Sequence, residues 1–196
     1  LIHTFGNSWS GVFLTYYFYL KKKPIIRELV NNMSTPYYPI QFENFFKKIF
    51  QKNNTMIIAI SKKLEELCNV HRVKNIWMRP NPINEKSFFL VDKVEKLKLR
   101  NKLTNFSNED IVLIHIASFM KQKNHIFLLD VLKKLPKNYK LYLGGTVENN
   151  EHKVNFERVQ KKINELNLKD RVILTKKFIE NIDEYIKLCD VFLFPT

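Results

Sequence analysis

Ile111-Val112-Leu113-Ile114-His115-Ile116-Ala117 runs into Ser118-Phe119-Met120-Lys121-Gln122-Lys123-Asn124, and a helix-like segment then ends in Leu132-Lys133-Lys134-Leu135-Pro136. A continuous β-branched run bounded by turn residues reads as a strand buried on both faces, the kind found in parallel sheets. The stretch is therefore a β-turn-α unit with two lysines in its turn. In open α/β sheets ligands gather outside the carboxyl ends of the strands, where the free N–H groups and dipole of the following helix favour an anion. With Lys123 beside that helix start the turn reads as a phosphate seat. A solvated loop lysine is the alternative that the turn alone leaves open.

Downstream the unit repeats. Lys140-Leu141-Tyr142-Leu143 reads as a strand closing on Gly144-Gly145, and Phe156, Val159, Ile163 and Leu166 form the apolar stripe of a helix. Val172-Ile173-Leu174 is the next strand. Asn181-Ile182-Asp183-Glu184 has the form of a capping box opening a helix through Leu188, and Asp190-Val191-Phe192-Leu193-Phe194 is the final strand. Such alternation implies right-handed βαβ crossovers and a parallel sheet.

Upstream, an aromatic helix-like stretch precedes a short strand begun after Pro24, and Asn31 to Pro39 is a loop with Pro36 and Pro39 bracketing Tyr37-Tyr38. Phe42, Phe45, Phe46 and Ile49 share helical spacing and predict a helix packed by its aromatic face. Met56 to Ile60 reads as a buried strand, with Ser61 at the cap of a helix from Lys62 to Cys68. A nucleophilic Ser61 would need a glycine-bounded sharp turn, which is missing. After the strand Asn75 to Met78, Arg79-Pro80-Asn81-Pro82-Ile83-Asn84 denies both helix and ladder and makes a stiff connector. The expected organisation is a first domain over 1–82, a linker over 83–108 with a charged, weakly helical stretch from Lys93 to Leu103, and a second domain over 109–196.

A chain of 196 residues that is 45% hydrophobic and 13% aromatic can bury a substantial core, which excludes a disordered tail. Its net charge of +14 predicts attraction to nucleotides, nucleic acid or an acidic membrane surface. No helix-turn-helix, zinc spacing or RNA-recognition aromatic motif is present, so no nucleic-acid partner is expected. Cys68 and Cys189 fall in apolar helical patterns, which gives no disulfide framework or metal-ligand spacing and points to the reducing cytoplasm. His3, Asn7, Ser8 and Ser10 interrupt the apolar stretch from Leu1, leaving only Val12 to Leu20 continuous, too short to span a bilayer. Peripheral contact with anionic lipid at the inner face of the cell membrane stays open. The start at Leu1 and the end at Thr196, directly after an apolar strand, read as those of an internal fragment.

Four strand ends converge: the Ser118 to Lys123 turn, Gly144-Gly145-Thr146, the Thr175 to Glu180 loop, and Pro195-Thr196. The glycines permit close backbone approach to a ligand or positive φ angles, with a simple tight turn as the alternative. Lys176-Lys177-Phe178 offers charge and a flat ring, fit either to stack on a nucleobase or to anchor the loop to the core.

Ile58-Ala59-Ile60-Ser61, Asn81-Pro82-Ile83-Asn84, Ala117-Ser118-Phe119 with Gln122-Lys123-Asn124, Lys140 to Gly145, Asp170-Arg171-Val172-Ile173-Leu174 and Asp190 to Thr196 come in an order that resembles retaining GT-B glycosyltransferases of family four, the group 1 glycosyltransferases. The resemblance is strong from about Thr55 onward. It implies an α/β fold of two Rossmann-like parallel-sheet domains of GT-B type, both incomplete in this sequence. It also implies an enzyme that moves a sugar from a nucleotide-diphosphate sugar, its donor substrate, to a glycan or lipid-linked acceptor of the cell envelope. On this resemblance Lys123 takes the place of the lysine that contacts the donor diphosphate. Gly144 and Gly145 take that of the glycine loop, and Phe178, Ile179 and Glu180 that of the loop contacting the base. His3 corresponds to an acceptor-side or catalytic-cleft histidine near a strand end of the first domain, and is on this resemblance the candidate catalytic residue.

Two departures bear on chemistry. Ala117 and Ser118 stand where the family has glycine then arginine, so Ser118 faces the diphosphate without that charge and Lys121 is expected to supply part of it. Lys176 or Lys177 replaces a loop glycine. The family's glutamate pair, which holds sugar and ribose, lies beyond Thr196, so the isolated chain is expected to be inactive. No Asp-x-Asp occurs, so metal-independent transfer without a cofactor is expected. The competing readings are a nucleotide-sugar epimerase of the same fold, separable by product analysis with donor alone, and a non-enzymatic basic module for a membrane surface.

Overall fold

The computed structural model describes residues 1–5, 9–30, 36, 43–50 and 55–195. Gly6, the loop around Tyr37-Tyr38, Phe42 and Thr196 lie outside the described residues, as do the side chains of Phe46 and Ile49. The chain divides into two compact units, Leu1–Ile83 and Asn84–Thr196.

The first unit runs β1 (Ile2–Phe5), α1 (Trp9–Leu20), β2 (Ile25–Leu29), α2 (Glu43–Phe50), β3 (Thr55–Ala59), α3 (Lys62–Val70) and β4 (Ile76–Met78). Its strands pair in parallel in the order β1-β2-β3-β4, each beside its chain neighbour. Leu29, Ile57 and Ala59 bury one face of the sheet against Leu64 and Cys68 of α3, with Tyr19 of α1 packed on the same cluster. Ser61 caps α3, its hydroxyl accepting the Leu64 N–H at 3.4 Å. Phe45 of α2 departs from the expected aromatic core face: it is 41% exposed and meets the Tyr16 ring at a 5.3 Å centroid distance. Helical spacing fixes which rings share a face, whereas a neighbouring layer decides whether that face is covered.

The second unit runs α4 (Lys93–Leu103), β5 (Ile111–Ile116), α5 (His125–Lys134), β6 (Tyr139–Gly144), α6 (Asn150–Glu165), β7 (Val172–Thr175), α7 (Ile182–Leu188) and β8 (Val191–Phe192). Its strands are parallel in the order β7-β6-β5-β8. Leu113, Leu141 and Leu143 face Leu128, Leu129 and Leu132 of α5 and Val159 and Ile163 of α6. On the other face Val112, Ile114 and Tyr142 meet Leu99 of α4 and Leu188 of α7. Helices thus cover both faces, and each fully buried aliphatic side chain contributes roughly 1.5–3 kcal/mol of transfer free energy.

Within the stretch expected to link the domains, α4 packs as part of this unit, capped by the Asp92 carboxylate that accepts the Glu95 N–H at 2.8 Å. Its charged pattern hides a buried Arg100 whose guanidinium is held by Asp190 and three carbonyls. The capping box expected at Asn181 does not form. Asn181 makes no side-chain cap bond, and Glu184 pairs instead with Lys102 at 3.2 Å. The final strand shortens to two residues, because β8 pairs with β5 only through Val191 and Phe192.

Candidate functional site

Strand order decides where a ligand can sit in the second unit. From β5 the chain steps outward to β6 and β7, then returns to lay β8 on the other side of β5. The carboxyl ends of β5 and β8 therefore flank the topological switch point, where open α/β sheets leave a crevice. The lysine turn leaves β5 at this point, and Phe194 and Pro195 leave β8 beside it.

The turn is built tightly. Lys121–Lys123 forms one 3-10 turn, Asn124 takes a left-handed φ of 53°, and α5 starts at His125. Among the first N–H groups of α5, that of Phe127 donates to the Asn124 carbonyl at 3.1 Å, so the helix-start amides left for a ligand are those ahead of it. Lys123 is half-buried, with its Nζ 5.0 Å from the Phe194 ring centroid. Lys121 is exposed and, with Met120, Gln122, Asn124, Glu151 and Pro195, lines an open depression of about 520 Å³. Ser118 is half-buried, and its carbonyl accepts the Met120 N–H at 2.7 Å, closing the bend.

The glycine loop lies against the same turn, because Ala117 N–H donates to the Gly144 carbonyl at 2.9 Å and Phe119 N–H to that of Thr146 at 3.4 Å. Neither glycine has a left-handed φ. A Cβ on Gly145 would lie 2.6 Å from the Ala117 carbonyl carbon and closer still to its oxygen. The missing side chain therefore admits the backbone of the neighbouring turn rather than a ligand. Gly144 is covered in turn by Ile179, whose Cδ1 would stand 2.5 Å from an added Cβ. Gly145→Ala is expected to cost roughly 1–3 kcal/mol, toward the upper end because the obstacle is backbone. The loss would be read as a lowered urea midpoint by far-UV circular dichroism, and a midpoint equal to wild type would show that the turn yields freely.

The loop after β7 divides its labour. Ile179 is tucked over Gly144, whereas Phe178 is 76% exposed and anchors nothing, which removes the core-anchor alternative for that ring. Lys176 turns back, its Nζ 5.9 Å from the Phe156 ring centroid on α6, while Lys177 and Glu180 are exposed.

Beneath the turn lie two histidines to which the sequence reading assigned no role. His115 on β5 is fully buried and His125 is 4% exposed, with ring centroids 4.7 Å apart. His115 Nδ1 donates to the Leu193 carbonyl at 2.9 Å. His125 stacks on Phe119 at 4.6 Å, and neither Nε2 makes a hydrogen bond. Burial lowers the affinity of both rings for a proton, taking His125 down to about 4, and the Lys123 charge acts in the same direction. The one polar side chain inside an otherwise apolar strand was the available signal.

His3 lies in the first unit, where its Nε2 is 3.1 Å from Glu28 Oε2, and Arg79 donates to the same oxygen at 2.7 Å. Glu28 is 2% exposed, His3 nearly half exposed, and the Arg79 guanidinium lies 5.6 Å from the Trp77 ring centroid. Sequence reading missed Glu28 and Arg79, because Glu28 lies on β2 and Arg79 just past β4, and they meet only when the sheet forms.

The family described as "Glycosyl transferases group 1" matches residues 95–196, from within α4 to the residues that follow β8. The capsular polysaccharide biosynthesis glycosyltransferase CapH of Staphylococcus aureus is 25% identical over 155 residues, covering 77% of this chain and 42% of CapH. Among solved structures, Anabaena Alr3699/HepE in complex with UDP superposes with a TM-score of 0.77 at 16% identity, over 97% of this chain and 52% of that one. Sucrose-phosphate synthase from Thermosynechococcus elongatus gives 0.72 at 16% identity, over 100% of this chain and 51% of that one. The chain thus spans about half the length of the proteins it matches, and the structural likeness shows an α/β fold of the GT-B kind. Among the described residues no helix is long and apolar enough to cross a membrane.

Proposed function

Because the chain belongs to the group 1 glycosyl transferases, we propose that its parent protein is a family-four enzyme. It would transfer a sugar from a nucleotide-diphosphate sugar to an envelope glycan or lipid-linked acceptor, with retention of configuration and without a metal. The observation that carries this reading is the lysine turn at the switch point between β5 and β8, with Lys123 poised over Phe194 beside the start of α5. A departing nucleoside diphosphate gains negative charge as the glycosidic bond breaks. Fixed cations and helix N-terminal amides stabilise that charge without reorganising at the moment of reaction. In this reading Lys123, Lys121 and Ser118 with the amides of α5 take the diphosphate. Gly144 and Gly145 shape the floor, and the exposed Phe178 with Ile179 and Glu180 meets the base. His3, oriented by Glu28, serves the acceptor side.

UDP is the first nucleotide to test, since HepE is described in complexes with UDP and UDP-glucose. Calorimetric titration of the full-length parent with UDP, GDP and ADP, first without and then with magnesium, should show one nucleotide binding in the absence of metal. Lys123→Ala should weaken that binding by roughly 1.5–3 kcal/mol, on the order of tenfold to a hundredfold, the range of a charge-assisted hydrogen bond. Undiminished affinity in the variant would remove Lys123 from the site. Binding that required magnesium would overturn the metal-independent part of the proposal.

A further inference from the structure

We propose that His115 is a positioning residue that fixes the end of β8 against the Lys123 turn and so sets the geometry of the donor site. The part that concerns nucleotide binding rests on the donor-site reading above. The β8 ladder is short: it is registered through Leu113 with Val191 and Ile114 with Phe192, and its last backbone bond to β5 runs from Leu193 N–H to the Ile114 carbonyl at 2.7 Å. One residue later the chain is Phe194, 61% exposed, whose ring lies under the Lys123 ammonium. Between these two points the Leu193 carbonyl is taken by a side chain, the Nδ1–H of His115 at 2.9 Å.

That bond selects the tautomer. With Nδ1 carrying the proton, His115 is neutral, and Nε2 makes no hydrogen bond of ordinary geometry in a buried layer bounded by the His125 ring from α5, Leu143 opposite on β6 and both the backbone and the charge of Lys123 in the turn. A buried imidazole with one nitrogen unsatisfied is a poor choice for stability alone. Every neighbouring position of β5 carries an aliphatic side chain, so an aliphatic residue would serve the core here too. What an aliphatic residue cannot do is hold a carbonyl outside the ladder. His115 reaches both segments that form the crevice, since His125, against which it packs, is the first residue of the helix that the lysine turn opens.

The test compares His115→Leu, which removes the donor while filling the layer, with His115→Asn, whose amide can donate from near the Nδ1 position. Two readouts are taken on the full-length parent. Hydrogen exchange at the Leu193 and Asn124 amides, which donate to the Ile114 and Lys121 carbonyls, should quicken by about tenfold in His115→Leu, the scale of one lost hydrogen bond, while the Leu141 to Leu143 amides stay as protected as in wild type. His115→Asn should restore most of the protection. UDP affinity should follow the same order, weaker by about tenfold in His115→Leu and largely recovered in His115→Asn. Unchanged exchange at Leu193 in His115→Leu overturns the proposal whatever the nucleotide does. So does a uniform loss of protection across the unit that His115→Asn does not relieve, because that is a general packing defect. If wild type binds none of UDP, GDP or ADP, the donor-site reading fails by itself, and the exchange result still decides whether His115 tethers the strand end.

Discussion

Replacing Asp190 with alanine is expected to lower the stability of the second unit by about 3 kcal/mol, the lower end of the range for removing one partner from a buried ion pair. Arg100 is 2% exposed, and its guanidinium donates to Asp190 Oδ2 at 2.9 Å. The same oxygen accepts the Val112 N–H at 2.7 Å, and Oδ1 takes Lys96 Nζ at 2.6 Å. Burial by itself would raise the pKa of this carboxyl, but the Lys96 ammonium, the Val112 N–H and Arg100 outweigh it and hold the group below the usual carboxylate range. One side chain thereby joins α4, the start of β5 and the entry to β8. Without it Arg100 keeps the carbonyls of Asp110 at 2.9 Å, Leu188 at 3.3 Å and Asn108 at 3.4 Å, which satisfy donors but leave the charge uncompensated. This partial rescue places the expected loss at the low end. Removing the charge as well, with Arg100→Met on the Asp190→Ala background, should recover part of the loss. The only two tryptophans, Trp9 and Trp77, lie in the first unit, so their fluorescence does not follow this one. Hydrogen exchange at Val112 to Ile114 does, and wild-type protection there in Asp190→Ala would show that the carbonyls alone suffice.

Acid should destabilise the second unit well before its carboxylates protonate. His125 is held neutral mainly by burial, with His115 and Lys123 acting in the same direction against a weaker pull from the Ala117 backbone, and its pKa falls from the ordinary 6.5 to about 4. Because the folded value is lowered, the unfolded chain takes up a proton between these two pH values and the folded one does not. The contribution of His125 to stability is therefore complete above pH 6.5, declines as pH falls from there, and levels off below about 4. The loss amounts to about 3 kcal/mol, at 1.36 kcal/mol per unit. Urea midpoints followed by far-UV circular dichroism should trace this decline, and His125→Phe, which keeps an aromatic ring against Phe119, should flatten it. A variant that loses stability in acid as steeply as wild type would assign the decline to other groups. Asp190 does not enter this window, since its carboxyl gives up its charge only below the ordinary carboxylate range.

How far the sequence speaks can be seen residue by residue. The run from Ile111 to Asn124 announced a buried parallel strand, a turn and a helix start, and each is present. Lys123 could be placed at a strand's carboxyl end because chain order alone puts a βα turn there. Asp190 and Arg100 looked unremarkable, one opening a strand and the other lost in a charged helix, although between them they fasten α4 to the sheet. Gly145 was legible as a position needing no side chain, but its reason was not. The atom it makes room for belongs to Ala117, in a neighbouring segment of the sheet.

Local pattern thus determined what is local: helix and strand periodicity, the Ser61 cap, the alternation that forces parallel crossovers, and the cationic character of the turn. Those features depend on interactions between residues a few positions apart, and their signal survives in a one-dimensional string. Only the tertiary structure decided that β8 returns to the side of β5, which sets Phe194 under Lys123 and His115 against the Leu193 carbonyl, and, in the separate sheet of the first unit, that Glu28 meets His3 and Arg79. These contacts join residues far apart in the chain, and their partners are chosen by the packing of whole strands and helices rather than by the sequence on either side of them.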